Sequence, residues 1–169
     1  MGLSVFPAPS AASKTRFMTT LTSGTTWTVP TGVTYVNVTL VGGGGGGGCS
    51  NGTDINASNG YPGECISSIV TTTPGATISY AIGAGGGGGG WNNSTGPSPG
   101  GTGGTTTFTG ATSATGGNLG RDIDSDRTTT SAKVSWANNG GQAVPSGGGS
   151  QVKTAGAGGN GFINIEYWS

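Results

Sequence analysis

Asp122, Asp124 and Asp126, at alternate positions in RDIDSDR, place three carboxylates within five residues. Such a set can offer oxygens to calcium, but a calcium loop of the helix-loop-helix kind also needs a turn glycine and a closing glutamate, and both are missing. Arg121 and Arg127 flank the acids, so a solvated, charge-balanced loop is expected and no metal is expected. The chain has no histidine. This excludes Ser-His-acid and Cys-His nucleophile systems and every zinc site that uses imidazole, and two cysteines cannot make a thiolate-only zinc site. Cys49 and Cys65 are expected as free thiols, with a small-loop disulfide as the alternative. GxGxxG spacings occur inside the glycine runs, yet CSNGTDIN and WNNSTGPS follow them, neither opens a helix, and no Gly-Lys-Ser/Thr is present. Nucleotide binding is therefore excluded, and the expected protein is not an enzyme and holds no cofactor.

Binding chemistry remains. Tyr61 in NGYPGE, and Trp91, Asn92 and Asn93 in GGWNNSTG, stand in turn-rich stretches. An aromatic face beside amide groups is suited to a sugar or a peptide loop, and these four residues are the candidate ligand contacts. Trp136 alternates with Val134 and reads as a strand's inner face, while Trp27 and Trp168 read as structural rings covering glycine backbone.

Composition limits what can position these groups. The 169 residues include 39 glycines and 8 prolines, a share at which low-complexity disorder is the default expectation. Leu, Ile, Val and Phe also fall below the roughly 20% usual for a foldable core, but the net charge is zero, so the charge half of the disorder signature is missing. Only 7% of residues are charged, which leaves no basic field for nucleic acid or an anionic membrane. No apolar stretch approaches the roughly 20 residues needed to span a bilayer, so no membrane insertion is expected. The opening MGLSVFPAPSAASKTRF lacks a basic start before its apolar part, and Pro7 and Pro9 interrupt that part. Residues 1–16 are expected to form an extended arm and residues 17–169 a single glycine-rich domain.

Apolar alternation marks the strands. TTWTVPTGVTYVNVTLV reads as a hairpin: Thr25, Trp27 and Val29 share a face, the chain turns over Pro30 and Gly32, and Val36, Val38 and Leu40 share a face on the return. CISSIVTTTPGATISYAIGAG repeats the design, with residues 66–72 extended, Pro74 and Gly75 at the turn, and Ile78, Tyr80 and Ile82 in register afterwards. A short element surrounds Phe108, AKVSWA forms another, and GFINIEYW closes the chain with Ile163, Ile165 and Tyr167 on one face. No window has a helical period, so the fold class expected is all-β.

Glycine runs 42–48 and 85–90 leave two of these strands. In the polyproline II conformation a glycine run has three residues per turn and no internal hydrogen bonds, so every N–H and C=O is free to bond a neighbouring run. The runs would extend roughly 22 and 19 Å, comparable with the strands. Shorter pieces at 100–104, 140–141, 147–149 and 156–161 are expected to complete a bundle packed backbone against backbone, where a Cβ would collide.

The order of these pieces resembles the glycine-rich domain of bacteriophage tail fibres and related virion proteins. FMTTLTSGTTWTVPTGVTYVNVTLVGGGGGG, TTTPGATISYAIGAGGGGGG, GGTTTFTG…SATGG and GAGGNGFINIEYW carry the resemblance, which runs from about Phe17 to Trp168. It implies a β-sandwich-like scaffold combined with packed polyglycine helices, located in the virion after assembly in the host cytoplasm. It further implies an arm docked on other virion proteins, and loops around 50–64, 91–99 and 118–130 turned toward a host surface protein or glycan. The alternative is a capsid-decorating or head-fibre protein. So few large apolar residues also suggest self-association, for which a homotrimer is what the resemblance implies.

Overall fold

The computed structural model describes residues 14–49, 58–92, 96–120 and 153–169. Ten strands are assigned there: β1 Arg16–Leu21, β2 Thr26–Thr28, β3 Tyr35–Val41, β4 Cys65–Thr71, β5 Thr77–Ala81, β6 Gly90–Asn92, β7 Gly96–Pro97, β8 Thr107–Phe108, β9 Lys153–Thr154 and β10 Phe162–Trp168. They form an antiparallel sheet β1-β10-β3-β4, a second sheet β2-β5-β8 and a small sheet β7-β6-β9. The first two enclose the apolar core, which contains Val36, Val38, Leu40 and Val70 with Ile163 and Ile165 from one sheet and Tyr80 and Phe108 from the other. Trp27 packs against both Phe108 and Tyr167, with ring centroids 6.3 and 6.0 Å apart.

The expected faces hold, but the expected hairpins do not. β2 pairs with β5 and β3 pairs with β4, so the turns at Pro30 and Gly32 and at Pro74 and Gly75 carry the chain from one sheet to the other. Gly32 and Gly75 have φ of 81° and 78°, a left-handed conformation that glycine adopts without a Cβ penalty. The two crossings are bonded to each other, Val29 N–H to Ala76 O and Gly75 N–H to Val29 O, both at 2.9 Å. Alternation cannot separate a hairpin from such an arch, because both need the same period of two. The arch prevails because it sets the apolar faces of the two strands opposite one another, whereas a hairpin leaves them side by side on one uncovered sheet.

β1 was not anticipated from the sequence. It lies within and just after the stretch read as an arm: Arg16 already pairs with Trp168, and Thr15 and Ser169 exchange backbone hydrogen bonds. Residues 1–13 lie outside the described residues, as do Val134, Trp136 and the glycines at 140–141 and 147–149. Among the described residues Trp168 covers no glycine backbone; its ring lies on the outer face of the four-stranded sheet, 6.4 Å from that of Tyr35.

Strands of the sandwich run directly into the glycine segments. Residues 42–48 continue β3 and all seven are buried. Their N–H groups bond in a period of three: Gly42, Gly45 and Gly48 to Glu64, Tyr61 and Ser58; Gly43 and Gly46 to Gly104 and Gly101; Gly44 and Gly47 to Gly159 and Gly156, all within 3.0 Å. Their carbonyls receive Gly86 and Gly89 on one side and Gly117 and Gly120 on another, at 2.7–2.8 Å. This is a threefold helix at the centre of a bundle. Among the described residues, segments 58–64, 114–120, 98–104, 83–89 and 155–161 surround it in that order, each bonded to the next and alternating in direction.

Glycine is needed for a geometric reason. A Cβ at Gly42, Gly43, Gly45 or Gly46 would stand 1.9–2.1 Å from a carbonyl oxygen of a neighbouring segment. The central helix is buried at all seven positions and, among the described residues, touches five segments, so it uses glycine at consecutive positions. Surrounding segments face the centre once per turn: Gly83, Gly86 and Gly89 are buried, as are Ala114, Gly117 and Gly120, with more exposed residues between them.

Candidate functional site

Three chain excursions that do not pass through the sandwich start and end at the end of the bundle remote from it. The central helix reaches Cys49 there and the chain returns at Ser58; segment 83–89 passes into β6, and β7 leads into 98–104; segment 114–120 ends at Gly120, and β9 leads back into 155–161. Alternating directions within the bundle produce this convergence, since every upward segment is followed by a downward one.

The small sheet is the described part of this end. Trp91 pairs with Pro97 on one side and Lys153 on the other, and Asn92 pairs with Gly96. Ser98 secures the hairpin: its hydroxyl donates to Gly90 O at 3.0 Å and accepts from Gly90 N–H at 2.8 Å, and its own N–H donates to the same carbonyl at 2.9 Å. The strand that carries Trp91 and Asn92 thus lies at the remote end. Asn93 lies outside the described residues. Lys153, which the sequence reading missed, stands opposite Trp91 because a segment distant in sequence returns beside it; no local signal announces that pairing.

Tyr61 is placed elsewhere. Its N–H donates to Asn118 O at 2.9 Å and its carbonyl accepts from Gly45 at 2.8 Å, so it belongs to the bundle wall, one turn below Ser58. The loop read as 50–64 therefore narrows to the chain between Cys49 and Ser58. Segments 58–64 and 114–120 went unrecognised because they hold few glycines, but Gly60 and Gly63, and Gly117 and Gly120, have the three-residue spacing that a contact once per turn requires. Tyr61 is 39% exposed on the flank.

No disulfide joins the two cysteines, Cys49 being buried and Cys65 exposed. A bridge between them is excluded by geometry: Cys65 pairs with Val41 at the sandwich end of the central run, and Cys49 closes the other end, roughly 25 Å away at the polyproline II rise. Asp122, Asp124 and Asp126 lie outside the described residues, and among the described residues no group of three His, Cys, Asp or Glu side chains could hold a metal. Also among the described residues, no helix is long and apolar enough to cross a membrane.

Glu64 fastens the bundle wall at its sandwich end. Its Oε2 accepts from Thr115 N–H at 3.1 Å and from the Thr115 hydroxyl at 2.9 Å, and its own N–H donates to Thr115 O. The backbone bond from Thr115, then the hydroxyl bond, hold this carboxyl below the usual glutamate range. A carboxyl lowered on folding stabilises above its unfolded value, and that contribution disappears as pH falls through the folded value. The melting temperature of Glu64→Gln should therefore lie slightly below wild type at pH 7, with the gap closing as pH drops through the carboxylate range. A gap constant from pH 7 to 3 would contradict this. The site is solvent-exposed, so the effect will be small.

A family model described as a glycine-rich domain matches residues 19–164. A search of curated proteins finds no match.

Proposed function

The chain belongs to the glycine-rich domain family, and on that scaffold we propose that it is a bacteriophage virion protein: a tail-fibre or tail-tip adhesin that presents its terminal loops to a host surface protein or glycan. The polarity of the molecule carries this reading. A bundle held by main-chain hydrogen bonds separates the end where three chain excursions emerge from the sandwich, where residue 14 enters. That arrangement suits an arm held by other virion proteins and a variable surface projected outward, because loops on a rigid support can change sequence without disturbing the core. The strand that carries Trp91 and Asn92 lies at that end, and a ring with a neighbouring amide is the chemistry expected for a sugar or peptide contact. Only 7% of residues are charged and the net charge is zero, so charge-steered binding is not part of the reading.

Fluorescently labelled protein should bind host cells saturably and compete with phage adsorption. Trp91→Ala should weaken both at least tenfold while leaving the melting temperature within a few degrees of wild type. Absence of saturable binding to host cells would overturn the adhesin reading. Antibody decorating the head shell, with normal adsorption of particles lacking the protein, would instead assign capsid decoration.

A further inference from the structure

Among the described residues the four-stranded sheet ends in two open edges. Among the described residues β1 pairs only with β10, and β4 pairs only with β3. Exposed edges are usually blunted by charge, proline or a covering element. β4, CISSIVT, contains neither charge nor proline, and the one charged residue of β1, Arg16, forms an ion pair with Glu166 on the adjacent strand. The same edges concentrate exposed apolar surface. Of the five large hydrophobic side chains exposed among the described residues, Phe17 and Met18 lie on β1 and Ile69 on β4, at 42%, 62% and 78% exposure.

The edges are also complementary. Strands alternate in direction across the sheet, so β1 runs opposite to β4, and β1 of a second copy laid beside β4 continues the antiparallel order. In the register of full overlap, Ile66 faces Leu21, Ser67 faces Thr20, Ser68 faces Thr19, Ile69 faces Met18, Val70 faces Phe17 and Thr71 faces Arg16. The inner face is preserved: Phe17, Thr19 and Leu21 are aligned with Tyr167, Ile165 and Ile163, and Ile66, Ser68 and Val70 with Leu40, Val38 and Val36. Apolar residues therefore meet apolar residues, and hydroxyls meet hydroxyls, at five of the six positions, the pairings that stabilise adjacent strands. Two β4 strands in full overlap would instead set Ile69 against Ser67.

We propose that the protein self-associates head to tail, β4 of one copy taking β1 of the next to extend the sheet. Because the two edges differ, the contact is heterologous and saturates only when the chain of copies closes into a ring. The inference deepens the self-association expected from the sequence and is independent of the proposed host contact.

The test uses the full chain with Cys65→Ser as background, in which Cys49 stays buried. Met18→Cys and Ile69→Cys variants carrying tags of different size are mixed and treated with a short bis-maleimide. The mixture should give the mixed-tag dimer at least tenfold above the same-tag products. Ile69→Lys should weaken association at least tenfold in sedimentation while its melting temperature stays within a few degrees of that of the dissociated wild type. Monomeric sedimentation of wild type at all concentrations, or Ile69→Cys coupling to itself as efficiently as to Met18→Cys, would overturn the proposal. These readouts involve no host cell, so failure here and failure of saturable host binding are separate results.

Discussion

Replacing Gly46 with alanine should destabilise the protein by about 3 kcal/mol or more, lowering the melting temperature by roughly 6–12 °C, whereas Gly87→Ala should be nearly neutral. The two glycines belong to neighbouring segments of the bundle but differ in surroundings. A Cβ on Gly46 would stand 1.9 Å from Gly87 O, 2.5 Å from Gly87 C and 2.9 Å from Gly86 O, all backbone atoms that can yield only by separating two bonded segments. A Cβ on Gly87 would meet nothing within 4 Å. Separation at Gly46 also strains the bonds Gly46 N–H to Gly101 O and Gly120 N–H to Gly46 O, at 2.8 and 2.7 Å. Flexible glycine linkers would respond differently: both alanines would be neutral or slightly stabilising, since each removes conformational freedom from the unfolded chain. Denaturant unfolding of the two variants distinguishes these outcomes. Equal midpoints would show that backbone packing is not what holds the bundle.

Thr106→Val should cost about 2–4 kcal/mol although it preserves shape, and Thr106→Ser should cost much less. Thr106 is fully buried where the sandwich passes into the bundle. Its hydroxyl donates to Val41 O at 2.6 Å, at the start of the central glycine run, and accepts from Gly83 N–H at 3.0 Å, at the start of the run that follows β5. Its backbone exchanges hydrogen bonds with Ala114, which opens segment 114–120. One hydroxyl thus joins three chains at the level where strand pairing gives way to threefold packing. Valine leaves the Gly83 N–H without its acceptor inside the protein, and a buried unsatisfied donor costs more than the hydrogen bond itself contributed. Hydrogen exchange should report the site directly, with protection of the Gly83 amide lost in Thr106→Val and largely retained in Thr106→Ser. Equal stability of the valine variant and wild type would show that this bond does not couple the two halves.

The candidate site was legible only in outline. Trp91 and Asn92 stood out as a ring and an amide in a turn-rich stretch, and their strand lies at the remote end. Tyr61 looked equivalent in NGYPGE but lies in the bundle wall. Its flanking Gly60 and Gly63 point inward once per turn, a requirement invisible until the central helix they contact is known.

Strand faces, the turns at Gly32 and Gly75, and the ordering of the two long glycine runs followed from the sequence alone, since each depends on a local rule: a period of two, a left-handed backbone that glycine tolerates, or the absence of a Cβ. Partnership did not. That β3 pairs with β4 and β10 instead of β2, that segments poor in glycine complete the bundle, and that Lys153 stands beside Trp91 were decided by the tertiary structure. The reason is physical: main-chain hydrogen bonds carry no side-chain identity, so which segments meet is set by which arrangement covers both apolar faces and satisfies every buried amide together.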